Sequence, residues 1–439
     1  MCANLCVEIL AIGIKLSLMP IEFQPASLDL TPHLQPGGLA IVAQLGAEPT
    51  ALVAAFLDAA KRVPGLQMLT SFPLGSVDAR MAATDASFLS MDGFGANGQL
   101  YKAGRLGVAP ARFSDYAALF QDHLRPDVAL CSATLPDVNG NVSLGVTVDH
   151  MPEAIRQARV AFVELNPDMP WTEGDAVLPL SAFTGTLPAP APPAEWISRP
   201  PGPVDHAVAA HVARLIPDRA TVQYGVGSLP DAIAVALAGK RDLGVHSGSV
   251  ADSFVDLIEA GAISNRYKEI DEGKNVATAL YGSRRLYDHV HRNSDLIMRA
   301  GDYTHNADTL RHFETFFAIN SALEVDLTGS VGAEAANGRY IGAIGGQLDF
   351  NRAGLVSRNG RAIIALSSTV GKARHTKIVP KLSGPVTSPR ADADTIVTEQ
   401  GIAELRGRSL EERAEALIAI ADPEHQAALR AAVDQDGLA

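Results

Sequence analysis

YGVGSLPDAIAVALAGKRDLGVHSGSVA, residues 224–251, reads as strand end, glycine turn, helix, strand and second turn. A β-type run over 221–224 gives way to Gly225-Val226-Gly227, and Pro230 sits where the first helical turn is expected. Proline is tolerated there because its missing N–H would have had no intrahelical acceptor. A glycine turn that opens a helix aims free backbone N–H groups at whatever lies above it, usually an anion or a carbonyl oxygen. The spacing predicts a second strand over 242–246 that ends in Ser247-Gly248-Ser249. Two such loops at the carboxyl ends of neighbouring parallel strands form one crevice, the place where open α/β sheets bind ligands. A plainer reading stays open, in which each glycine only permits a tight turn.

The rest of the chain repeats this alternation. Residues 39–45 read as a buried strand, 49–63 as a helix with Leu52, Val53, Phe56, Leu57 and Ala60 on one face, and 66–72 as the next strand. Short apolar runs follow at 128–133 and 160–165, and residues 136–145 read as a turn into a short strand. Further on, 361–367 is a buried strand, and 329–346 reads as loop. Ser409 and Glu412 form a capping box, and Asp422-Pro423 opens the last helix. Alternating β and α at this spacing predicts parallel sheets covered by helices. Residues 187–203 are rich in proline, a stiff connector. They divide an N-terminal α/β domain over 19–190 from a C-terminal one over 204–439.

A chain of 439 residues is too long for a single core. Its 47% hydrophobic and 19% charged content is that of an ordinary globular protein. A net charge of −13 argues against nucleic acid or an anionic membrane as the main partner, while leaving room for a small anionic ligand. Cys2, Cys6 and Cys131 provide neither a disulfide framework nor metal-ligand spacing, which points to a reducing cytoplasm. Residues 1–20 are apolar but interrupted by Glu8 and Lys15, so they suit neither a signal peptide nor a membrane span. We expect Met19 to be the natural start.

Four segments combine glycine with polar residues: 225–230, 246–249, 342–350 and 398–401. Gly345-Gly346 before Gln347 lets the backbone approach a ligand, and its N–H groups suit an oxyanion hole. Glu399 follows a strand and is either a working carboxylate or a surface residue. Lys372, Arg374, His375, Lys377 and Lys381 form a basic run that is either an anion clamp or a charged surface loop. Glu324 and Asp326 alternate with apolar neighbours and read as solvated carboxylates. His246 reads as a core or supporting histidine more readily than as a base. His289, His291 and His305 show no metal spacing, and no metal is expected. The dinucleotide fingerprint fails, because Pro230 stands at its sixth position.

Taken in order, eight segments resemble the acetyl-CoA hydrolase/transferase family, which includes 4-hydroxybutyrate and acetate CoA-transferases of class I. They are 34–49 (LQPGGLAIVAQLGAEP), 137–149 (DVNGNVSLGVTVD), 166–170 (NPDMP), 224–233, 279–287 (ALYGSRRLY), 318–329 (AINSALEVDLTG), 342–350 (GAIGGQLDF) and 397–407 (VTEQGIAELRG). The resemblance implies two open, mostly parallel α/β domains of the CoA-transferase (NagB/RpiA-like) type, with the site between them. It implies coenzyme A as thioester substrate, a small carboxylic acid as partner, and a homodimer. In such enzymes a Glu carboxylate attacks the thioester and passes through an acyl anhydride to a glutamyl-CoA thioester. The resemblance places oxyanion and CoA contacts around Gly225, Val226, Gly227, Gly345, Gly346, Gln347 and Lys372. It maps an assisting carboxylate to Glu399.

The chain departs from this pattern at one position. The nucleophilic Glu should follow His-Ser, yet the sequence reads His246-Ser247-Gly248. Glycine supplies no carboxylate, and Asp252, about one helical turn on, points elsewhere. Three readings follow: a hydrolase or non-covalent transferase with Glu399 as general base; an acyl-CoA-binding sensor or subunit without turnover; or an ordinary transferase in which Gly248 is a substitution.

Overall fold

The computed structural model describes residues 20–74, 80 and 84–437. The segment expected to precede the natural start, with Cys2 and Cys6, lies outside the described residues. The first sheet contains β1 (Ile21–Glu22), β2 (Leu39–Val42), β3 (Gln67–Leu69), β4 (Ser87–Ser90), β5 (Leu106–Val108), β6 (Val128–Ala133), β7 (Val160–Leu165) and β8 (Gly185–Pro188). Its order is β1-β8-β7-β6-β2-β3-β4-β5, and every neighbouring pair is parallel. The second sheet contains β9 (Thr221–Tyr224), β10 (Gly244–Val245), β11 (Phe316–Asn320), β12 (Arg361–Ala365), β13 (Thr395–Thr398) and β14 (Gly401–Glu404). Its order is β10-β9-β11-β12-β13-β14, parallel except for the last pair.

Strands buried on both faces need continuous apolar runs rather than alternation. That is why β6 (VALCSA) is buried at every residue. The helix Thr50–Ala59 turns Leu52, Val53, Phe56 and Leu57 inward. Phe56 is fully buried, and sequestering a side chain of this kind stabilises the fold by about 1.5–3 kcal/mol. No helix or strand runs between Pro188 and Pro203. The largest apolar cluster nevertheless crosses that connector, joining Ile41 and Val163 to Val222, Phe254 and Ile363. Among the described residues no helix is long and apolar enough to cross a membrane.

Four strands are shorter than the sequence predicts. That expected over 39–45 stops at Val42 because Leu45 adopts a left-handed φ of 58° and starts a 3₁₀ turn. Those expected over 66–72 and 361–367 cover only Gln67–Leu69 and Arg361–Ala365. The strand expected over 242–246 is only Gly244–Val245, because Asp242 takes φ 59°. Residues 329–346 are not plain loop. They hold the short strands Val331–Gly332, Ala335–Ala336 and Arg339–Tyr340, and Asn337-Gly338 makes a hairpin turn with both φ angles positive.

The second sheet changes direction at β9. The chain steps outward to β10, then returns to lay β11 on the other side of β9. A switch of this kind opens a crevice above the carboxyl ends of the flanking strands. The turns after Tyr224 and after Val245 both lie there, so the stretch that decides the fold also builds the crevice.

Candidate functional site

The glycine turn after β9 leads into the helix Ser228–Leu237, with Pro230 in its first turn. Gly227 has φ 119° and ψ 179°, a conformation open to glycine alone. The turn after β10 lies beside it. Val222 pairs with Val245, and Ser247 Oγ donates to the Tyr224 carbonyl at 3.2 Å, so Gly248 falls next to Gly225. The second glycine turn arrives from the far side of the sheet. Gly345 has φ 53°, and Gly346 caps the helix Gln347–Val356.

This second turn is held by the N-terminal half. The Phe113 N–H donates to the Gly345 carbonyl at 3.0 Å, the Gly93 N–H donates to the Gly342 carbonyl at 2.8 Å, and Ser114 Oγ donates to Asp349 at 2.8 Å. Burial raises the Asp349 carboxyl to about 6, against those Ser114 hydrogen bonds and the pull of Arg112. Among the described residues no acceptor is found for the N–H groups of Val226 and Gly346. Both are free to polarise a carbonyl oxygen.

One imidazole joins the two turns. A Cβ on Gly248 would stand 2.9 Å from His305 Nε2, and a Cβ on Gly346 would collide with the same ring. His305 packs between Phe113 and Phe350, with ring centroids 4.4 and 4.5 Å away. Its Nδ1 lies 2.8 Å from Thr304 Oγ1. Only 4% of the residue is exposed, and burial lowers its pKa to about 3, so the ring is neutral at neutral pH. Sequence reading set His305 aside for want of metal spacing. No local pattern marks it, because its place is set by two aromatic rings distant in the chain.

Behind this cluster runs a ladder of amides. Asn320 Nδ2 donates to Gln223 Oε1 at 3.2 Å and to Asn351 Oδ1 at 3.1 Å. Gln347 Nε2 donates to the Ser321 carbonyl at 2.6 Å, and Gln347 Oε1 accepts from Ser388 Oγ at 3.1 Å. The Gln347 amide is therefore spent on holding the helix start to the sheet, as are Gln223, Asn320, Asn351 and Ser388, none of which the sequence singled out. His246 is fully buried with Nε2 2.9 Å from the Thr304 carbonyl, and burial lowers its pKa to about 3.

Glu399 follows β13, which lies four places from β10 and two from β11, where Gln347 is anchored at Ser321. The Glu399 carboxylate accepts from both the N–H and the Oγ–H of Ser368. Lys377 stands close enough for Glu399 and Glu324 to offset part of the burial that lowers its pKa to about 8. Lys372 is exposed in the turn between Thr369–Val370 and His375–Thr376. Arg374 of the basic run pairs with Asp422.

Glu324 is buried rather than solvated and accepts from the N–H and Oγ–H of the distant Ser383, while half-buried Asp326 accepts from Thr328 and Ser330 N–H and closes a tight loop. Asp252 accepts from Ser283 N–H and Oγ–H and so faces away from Gly248. A cavity of about 440 Å³ shares Phe113 with the cluster and is lined by Asp149, His150, Glu153, Arg156, Asp175 and Asp302. Among the described residues no group of three or more His, Cys, Asp or Glu side chains could hold a metal ion.

Comparison with known proteins agrees with this architecture. Residues 49–215 match the model of the acetyl-CoA hydrolase/transferase N-terminal domain, and residues 282–433 match that of the C-terminal domain. The 4-hydroxybutyrate coenzyme A transferase of Clostridium kluyveri is 35% identical over 87% of this chain and 90% of its own. The acetyl-CoA hydrolase of Saccharomyces cerevisiae is 26% identical over 70% of this chain and 65% of its own. The crystal structure of RipA from Yersinia pestis superposes with a TM-score of 0.89 at 29% identity, covering 95% of this chain and 98% of that one. A 4-hydroxybutyrate CoA-transferase from Porphyromonas gingivalis gives 0.80 at 28% identity, covering 94% and 97%.

Proposed function

The chain belongs to the acetyl-CoA hydrolase/transferase family, and from that premise we propose that it opens short-chain acyl-CoA thioesters, with water as its default acyl acceptor. The observation that carries this reading is the meeting of Gly248 and Gly346 at one imidazole, that of His305. Gly346 and Val226 offer free N–H groups, and Gly248 offers no carboxylate. Such donors suit the oxyanion of a tetrahedral intermediate. Without a Glu at 248 no glutamyl-CoA thioester can form there, so the step that keeps the acyl group for a second acid is missing. Coenzyme A enters as the thioester and leaves as the thiol, and no metal takes part.

We assign Glu399 the assisting role that the family resemblance suggests, rather than the general-base role of the hydrolase reading. Its carboxylate holds Ser368, and a base must reach the proton it removes. Lys372 is exposed at its hairpin tip, and the family resemblance supports a contact from it to a phosphate of the CoA tail. Homodimer assembly in a reducing cytoplasm completes the proposal, resting on the family resemblance and on the cysteine usage.

A second reading is acyl-CoA binding without turnover. The near-complete burial of His305 favours it, since the cluster must loosen to admit a thioester. Thiol release separates the two. Acetyl-CoA and butyryl-CoA are offered with and without acetate; steady release independent of acetate supports hydrolysis, and saturable binding with no release supports the second reading.

A further inference from the structure

We propose that His305 is the nucleophile of this chain, its Nε2 standing where the missing carboxylate of position 248 would act. This rests on the acyl-CoA reading above and adds the atom that does the chemistry.

Geometry carries the argument. His305 Nε2 occupies the space that any side chain on Gly248 would enter, 2.9 Å from its Cβ position. The same ring lies over Gly346, whose N–H is free. Attacking atom and oxyanion donor therefore lie side by side, the arrangement an acyl transfer needs once the cluster opens to a thioester. Thr304 Oγ1 lies 3.3 Å from the Ala300 carbonyl and 2.8 Å from His305 Nδ1; with its proton on that carbonyl it accepts the Nδ1–H, and this is the tautomer the proposal requires, with the Nε2 lone pair bare. Phe113 and Phe350 fix the ring plane. Burial keeps the imidazole neutral, with a pKa lowered to about 3, so the Nε2 lone pair is unprotonated at neutral pH.

The steps balance. The Nε2 lone pair forms a bond to the thioester carbonyl carbon, and the oxyanion rests on the N–H groups of Gly346 and Val226. The C–S bond then breaks and CoA leaves as a thiolate that takes a proton from solvent. The acyl group now sits on Nε2 as an acylimidazolium. Water adds to its carbonyl carbon, the C–N bond breaks, and the acid departs with neutral His305 restored and one proton released. Nothing is oxidised or reduced.

The test uses the full chain with acetyl-CoA, comparing the unmodified protein with His305→Gly, each with added imidazole or with pyrazole, which has the same size but is a far weaker nucleophile. Thermal melting and CoA binding are followed alongside, and His305→Asn serves if the glycine variant does not fold. We expect thiol release to fall on the order of 10⁴-fold in His305→Gly, CoA binding to persist, and imidazole but not pyrazole to restore turnover. For His305→Asn the same loss with CoA binding intact is expected. Either variant retaining release within about tenfold of the unmodified protein would overturn the inference. So would equal rescue by both heterocycles, which would make His305 a space-filler. Absence of thiol release from the unmodified protein overturns the acyl-CoA reading together with this one, whereas the other failures leave that reading standing.

Discussion

His305 Nε2 lies 2.9 Å from the point where a Cβ on Gly248 would stand. Two residues from separate turns share a volume sufficient for only one side chain. Where the family expects an acidic residue there is no side chain, and an imidazole fills the space. Stability and chemistry both follow from this pairing.

Gly248→Ala forces a methyl group against a ring already held by Phe113 and Phe350. Overpacking of this kind costs about 1–3 kcal/mol. In His305→Ala the same methyl keeps only an ordinary contact with Phe350, at 3.5 Å. A double-mutant cycle on chemical denaturation should give a coupling energy of about 1 kcal/mol or more, whereas additive effects would show that the two residues do not meet.

Gly248→Glu should not yield a working transferase by itself, because the new side chain needs the room of His305. Combined with His305→Ala, it should permit acyl exchange between acetyl-CoA and butyrate. Exchange by the single variant at the rate of the double would disprove the claim that His305 blocks position 248.

Glu399→Gln should leave thiol release within about tenfold of the unmodified protein, since its carboxylate is engaged by Ser368. Melting temperature should fall instead, because the amide replaces only one of the two carboxylate oxygens that accept from Ser368. A large loss of rate with normal melting would restore Glu399 to the chemistry.

Gly227→Ala meets no neighbouring atom, so its cost is purely backbone. With φ at 119°, that cost is about 1–3 kcal/mol. Equilibrium unfolding measures it directly, and an unchanged midpoint would mean the turn is not as described.

Acid stability should show two regimes. His150, His246 and His305 are held neutral by burial, with pKa values lowered to about 3. In the unfolded chain each returns to about 6.5, so the unfolded state binds more protons and their contribution is lost as pH falls from there toward 3. Burial raises Asp149, Glu164 and Asp349 to about 7, 7 and 6. These act in the opposite sense, since the folded state now takes protons first and gains stability as pH falls toward 4.5. Melting temperature should therefore change little between pH 6.5 and 4.5, then drop steeply toward pH 3. A steep fall already complete at pH 5 would contradict this account.

Much of the fold was legible in the chain. The strands Val128–Ala133, Val160–Leu165 and Thr221–Tyr224 fall where the apolar runs place them, because burial on both faces demands such runs. The capping box at Ser409 and Glu412 forms as read. Strand ends were less legible, since Leu45 and Asp242 turn left-handed without a glycine to announce it. In the site, both glycine turns were readable and their convergence was not. Glu399 stands at a strand end as the motif suggests, but sheet order sets its distance from Gly248, and local pattern does not encode sheet order. His305 was invisible for a similar reason, as Phe113 and Phe350 fix it from two different halves of the fold.

The most direct test of the central claim is thiol release from acetyl-CoA and butyryl-CoA by the unmodified protein, with and without acetate. The account predicts steady release at a rate independent of acetate. Saturable CoA binding with neither thiol release nor acyl exchange would contradict it, and would leave a family member that holds acyl-CoA without acting on it.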